Sequence, residues 1–79
     1  MSFDRKNYDI TVASDVCDRD GIGVEFWKDG SMVAEIFRDD TKRTREIWIS
    51  KQKVSLEEME GFIQLFKDEI PWDFIEYEN

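Results

Sequence analysis

The dipeptide Asp29-Gly30, set between two alternating apolar runs, constrains this chain more than any other feature. Glycine accepts a positive φ without a Cβ clash, so Asp-Gly in that setting is the strongest short-range signal for a β-hairpin. The surrounding stretch, GIGVEFWKDGSMVAEIFR from Gly21 to Arg38, therefore reads as two antiparallel strands. Two loops are compatible with it. A two-residue loop pairs Trp27 with Met32 and Val24 with Glu35, placing Glu35 on the face of Ile22, Val24 and Phe26. A three-residue loop of Lys28, Asp29 and Gly30, with Gly30 left-handed, pairs Phe26 with Met32, Val24 with Ala34 and Ile22 with Ile36. That face is then wholly apolar. A slip of one residue exchanges the two faces, and burying an unpaired carboxylate is costly, so the three-residue turn is expected. The opposite face then carries Glu25, Trp27, Val33, Glu35 and Phe37.

The flanking segments extend this sheet. Tyr8 to Ala13 alternates, with Tyr8, Ile10 and Val12 on one side, and predicts a strand over 8–13. SDVCDRDG, from Ser14 to Gly21, has turn chemistry. Beyond the charged loop Asp39–Arg43, Thr44 to Ser50 alternates again, with Ile47 and Ile49 inward and Glu46 and Trp48 outward. Strands over 8–13, 22–27, 31–38 and 44–50 leave no connection long enough for a crossover helix, so an antiparallel meander is expected.

One helix follows. Ser55-Leu56-Glu57-Glu58 matches the capping box, and Val54 and Met59 flank it as a hydrophobic staple. Leu56, Met59, Phe62, Ile63, Phe66 and Ile70 recur at helical spacing and form the stripe expected to cover the sheet. Leu65 falls outside that stripe. Pro71 ends the helix, because a residue before proline is pushed out of the helical region, giving a span of 56–69. The expected architecture is a single small α+β domain over 1–79 with the order ββββα. Residues 1–7 are expected to be loose. The segment 71–79, with Trp72, Phe74, Ile75 and Tyr77, is expected to pack back on the domain, since burying one such side chain contributes about 1.5–3 kcal/mol.

Composition narrows the chemistry. The 79 residues are 41% hydrophobic with a net charge of −8, too apolar for a disordered chain. No run approaches the roughly 20 apolar residues of a membrane span, and MSFDRKNYD has no signal-like apolar region. Cys17 is the only cysteine, which fits a reducing cytoplasm and excludes an internal disulfide. With no histidine, Ser-His-Asp and Cys-His catalysis and His-containing zinc sites are excluded. Asp15, Asp18 and Asp20 disfavour a Cys17 thiolate, and their spacing fails the calcium-loop pattern, because its first and last ligand positions fall on Val16 and Trp27. Gly21-Ile22-Gly23 lacks the third glycine and the helix of a dinucleotide-binding turn. No cofactor is expected, and no catalytic constellation converges.

A non-catalytic protein-binding module is the expected function. Its contact surface is the outer sheet face, with Trp27, Phe37 and Trp48 among Glu25, Glu35 and Glu46, since aromatic anchors rimmed by charge concentrate binding energy. The acidic total favours a basic partner, in the physical manner of an inhibitor or immunity protein. A second copy of the chain would use the same face. The alternative is single-stranded nucleic-acid binding, with sheet aromatics stacking on bases and Lys42, Arg43, Arg45, Lys51 and Lys53 holding phosphates. In element order alone, with no shared motif, the chain resembles the whirly-type single-stranded-DNA-binding proteins, which would imply that role. The acidic balance opposes it, because phosphate contacts dominate such affinities. The basic segment 42–53 and the acidic segment 54–79 are also suited to zip together within the fold.

Overall fold

The computed structural model describes residues 5–15, 20–50 and 53–76. Strands β1 (Asp9–Asp15), β2 (Gly21–Lys28), β3 (Ser31–Asp39) and β4 (Thr44–Ile49) form one antiparallel sheet in the order β1-β2-β3-β4. Helix α1 (Leu56–Glu69) packs on one face of it. The α+β architecture and the order ββββα are those expected, the helix has the expected bounds, and each strand end lies within two residues of its expected position. Among residues 1–7, Arg5–Asn7 form a short 3-10 turn closed by the Tyr8 amide donating to the Arg5 carbonyl at 3.1 Å.

The hairpin reaches the expected facing by a different route. Asp29 (φ 52°) and Gly30 (φ 79°) are both left-handed, and Lys28 pairs with Ser31 and Trp27 with Met32. This is the two-residue turn with two positive φ angles that Asp-Gly favours, not the three-residue loop. The register then shifts between Phe26 and Trp27, so that Phe26 pairs with Ala34, Val24 with Ile36 and Ile22 with Arg38. The extra residue sits in β3 as a bulge at Val33 instead of in the loop. Glu35 is kept off the apolar face as expected, but every inner pair lies two positions from the expected register. Val33, expected on the outer face, is buried in the core cluster.

That cluster joins Val24, Phe26, Ala34 and Ile36 of the sheet to Phe62, Leu65, Phe66 and Ile70. Tyr8 closes one end, its ring edge-on to Phe62 at 5.3 Å and to Phe26 at 6.5 Å. The helix is rolled relative to the expected stripe. Leu65 is only 5% exposed and in the core, whereas Leu56 is 67% exposed and Ile63 also faces solvent. The capping box forms as expected: Glu58 N–H donates to Ser55 Oγ at 3.0 Å, and the Glu58 carboxylate accepts from the Ser55 backbone. Glu58 Oε2 also accepts from the Tyr8 hydroxyl, tying the helix start to the segment that enters β1.

Residues 71–76 of the tail contact the domain, with Trp72 and Ile75 each 50% exposed and not buried. Residues 77–79, Tyr77 among them, lie outside the described residues. Arg38, at the end of the inner face, is 3% exposed and forms a forked pair with Asp40, Nε to Oδ1 at 2.9 Å and Nη2 to Oδ2 at 3.2 Å. The pair grips the tail backbone twice. Arg38 Nη1 donates to the Pro71 carbonyl at 2.7 Å, and the Ile75 amide donates to Asp40 Oδ1 at 3.1 Å. Arg45 Nη2 donates to the Trp72 carbonyl at 2.6 Å, and the Arg45 guanidinium lies 3.8 Å from the Trp72 ring centre and 4.2 Å from that of Phe74. No helix among the described residues is long and apolar enough to cross a membrane.

Candidate functional site

Strand pairing fixes which side chains share a face, and the two faces of this sheet differ in kind. On the helix side the rungs are Ile10–Phe26–Ala34–Ile49, Val12–Val24–Ile36–Ile47 and Ser14–Ile22–Arg38–Arg45. The central positions Phe26, Ala34, Val24 and Ile36 of the first two rungs build the core. Val12 and Ile47 on the edge strands are 47% and 42% exposed, so Ile47 faces inward as expected but is not covered. The third rung presents the two arginines that hold the tail. On the outer side the rungs are Asp9–Trp27–Met32, Thr11–Glu25–Glu35–Trp48, Ala13–Gly23–Phe37–Glu46 and Asp15–Gly21–Asp39–Thr44. Asp9, Asp15, Glu25, Glu35, Asp39 and Glu46 are all acidic, and no paired outer position is basic. Asp39 is buried and spent locally, its Oδ1 accepting from the amides of Thr41 and Lys42.

The six expected contact residues share this outer face but differ in availability. Trp48 is 49% exposed and Glu46 is exposed. Glu25 and Trp27 are half-buried and engaged with each other, the indole N–H donating to Glu25 Oε1 at 3.1 Å. Glu35 sits directly between Glu25 and Trp48 in its rung. Phe37 is 2% exposed, so it is a packed floor and not the exposed anchor expected of it. The neighbouring glycines explain its burial. A Cβ on Gly23 would lie 2.8 Å from Phe37 Cδ1 and 2.6 Å from the Ile36 carbonyl oxygen, so the ring occupies the space that a side chain would need. A glycine opposite an aromatic ring was legible as a pair only once the register was known.

Glu35, Phe37, Glu46, Ile47 and Trp48 line an open groove of about 290 Å³. Its size suits one inserted side chain better than a drug-sized ligand. A second groove of about 180 Å³, on the helix side, is walled by Ile47, Ile63 and Trp72 over Ile36 and Phe66.

Two of the five expected nucleic-acid contacts are drawn elsewhere. Arg45 is engaged by Trp72 and Phe74, and Arg43 lies 5.1 Å from the Phe74 ring centre and 3.7 Å from the Glu76 carboxylate. Lys42 and Lys53 are exposed, while Lys51 lies outside the described residues. Arg43 and Arg45 are thus engaged with the aromatic rings of the tail. Asp15 and Asp20 of the acidic loop are half-buried, and Cys17 and Asp18 lie outside the described residues.

The Glu58 carboxyl at the helix start and the Tyr8 phenol bonded to it are electrostatically perturbed. The hydrogen bond from Tyr8 holds the Glu58 carboxyl below its ordinary value of 4.5, reinforced by the bonds from Ser55. Burial, together with the Glu58 carboxylate, pushes the Tyr8 phenol up to about 12. This is a structural bond and lies on the opposite side of the sheet from the groove. Sequence reasoning missed the Arg38–Asp40 pair, whose only local sign was a charged doublet at a strand end. Comparison with family models, with curated proteins and with solved structures finds no match to this chain.

Proposed function

We propose that this protein is a non-catalytic, cytoplasmic binding module that takes a basic protein partner on its outer sheet face. The observation that carries this reading is the composition of that face, where aromatic side chains stand among carboxylates with no basic residue at any paired position. Glu25 and Glu35 are direct cross-strand partners, an arrangement of like charges that costs a sheet up to about 1 kcal/mol. The net charge of −8 steers such a partner in, and half-exposed Trp48, on the edge strand β4, supplies apolar area beside the carboxylates.

The test is a two-dimensional amide NMR titration of the full chain with a cationic peptide and, separately, with single-stranded oligonucleotide. The peptide is expected to shift resonances at Glu35, Glu46 and Trp48, with affinity falling steeply as salt rises. Shifts confined to α1 or the tail would overturn the reading, as would oligonucleotide binding at Lys42 and Lys53. A dimer in solution that Trp48→Ala dissolves would reassign the face to a second copy of the chain.

A further inference from the structure

The outer groove has a more specific chemistry than negative charge. Phe37 pairs with Glu46 and Glu35 with Trp48, so the two rungs set carboxylate beside aromatic in a two-by-two checkerboard. The carboxylates occupy one diagonal and the rings the other. Trp48 and Glu46 stand two residues apart on β4, side chains on the same face, about 6.6–6.8 Å along the strand. That spacing leaves room for one planar group to lie on the indole while its edge meets a carboxylate. Among the described residues, no cation stacks on Trp48, and Glu46 makes no ion pair. Elsewhere the fold satisfies the same appetite internally: Arg45 stacks 3.8 Å from the Trp72 ring centre, and Arg38 forks onto Asp40.

We infer that the groove between Trp48 and Glu46 is a receptor for a guanidinium group, an arginine side chain presented by the basic protein partner. This rests on the outer-face reading above and names what that face recognises. The guanidinium plane stacks on the Trp48 indole, while its N–H edge donates in fork geometry to Glu46, with Glu35 adding to the field. Lysine offers a compact, more strongly hydrated ammonium that neither stacks as a plane nor bonds as a fork, so the site discriminates between the two cations. Phe37, packed on Gly23, holds the groove floor rigid, so little is lost in ordering it on binding.

The experiment compares oligoarginine with oligolysine of equal length and charge, titrated into the full chain at fixed salt. Binding is followed by the indole N–H resonances, assigned with single Trp→Phe variants. Oligoarginine is expected to move the Trp48 indole and to bind about fivefold tighter than oligolysine. Glu46→Gln should weaken oligoarginine about tenfold and oligolysine less, because one fork acceptor loses its charge. Trp48→Leu, which keeps apolar area and removes the π-face, should abolish the preference for arginine while the amide spectrum stays dispersed. Equal binding of both peptides on the outer face would overturn the guanidinium receptor and leave the basic-partner reading standing. Absence of any outer-face shift with either peptide would overturn both, and a shift of the Trp72 indole alone would move the site to the tail.

Discussion

Tyr8 and Glu58 show how one hydrogen bond serves several ends. Glu58 belongs to the capping box of α1, and its second carboxylate oxygen accepts from a phenol that also packs on Phe26 and Phe62. The bond favours the charged form of Glu58, whose folded pKa lies below 4.5. The unfolded chain therefore binds the proton more readily, and the contribution to stability is complete above the ordinary value and lost as pH falls through the folded one. Tyr8 has the opposite sign. Its stabilising contribution is present below pH 10.0 and is lost as pH rises toward about 12. Tyr8→Phe should cost about 1–2 kcal/mol in urea unfolding near neutral pH and flatten both limbs of the stability profile. If stability between pH 3 and 5 titrates identically in the variant, the coupling is not as described.

The helix and the hairpin each solve a packing problem that their own sequences leave open. Leu56 and Leu65 are both leucines in α1, and helical periodicity alone assigns Leu56 to the core stripe and Leu65 away from it. In the fold the assignment is reversed, with Leu65 among Phe62, Phe66 and Ile70. Leu65→Ala should therefore lose about 2–4 kcal/mol in chemical denaturation, while Leu56→Ala stays within about 0.5 kcal/mol. Similar losses for the two would show that the helix is not rolled in this way. The hairpin likewise keeps the turn that Asp-Gly prefers and repairs the facing with a bulge at Val33, whose side chain is gained by the core. Both outcomes follow from what lies opposite, which no local pattern encodes.

In the molecule as a whole, charge is sorted by face within the sheet, while α1 on the inner side carries acids of its own. The outer face carries Glu25, Glu35, Glu46 and Trp48, and Arg38 and Arg45 stand on the inner face, where the tail backbone meets them. Arg38 and Asp40 are buried together, so removing one partner strands the other charge away from water. Asp40→Ala should cost about 3–5 kcal/mol and release hydrogen-exchange protection at the Ile75 amide. Arg45→Ala, at a more exposed site, should cost about 1 kcal/mol and leave that amide protected. An Ile75 amide exchanging at the same rate in Asp40→Ala as in the parent would mean that the pair does not hold the tail.

The elements themselves were readable along the chain, because their signals are local. The capping box, Pro71 and the alternation around Asp29-Gly30 each act within a few residues, where short-range sterics and hydrogen bonds decide. The outer-face positions Glu25, Glu35, Glu46 and Trp48 were readable for the same reason, since a period of two assigns faces without knowing the partner strand. The roll of α1, the bulge at Val33, the seating of Phe37 on Gly23 and the capture of the tail by Arg38, Asp40 and Arg45 were settled only in three dimensions. Each depends on the volume and charge that a distant segment brings to the contact, and packing at solid density leaves one arrangement that fills the space and pairs the buried charges.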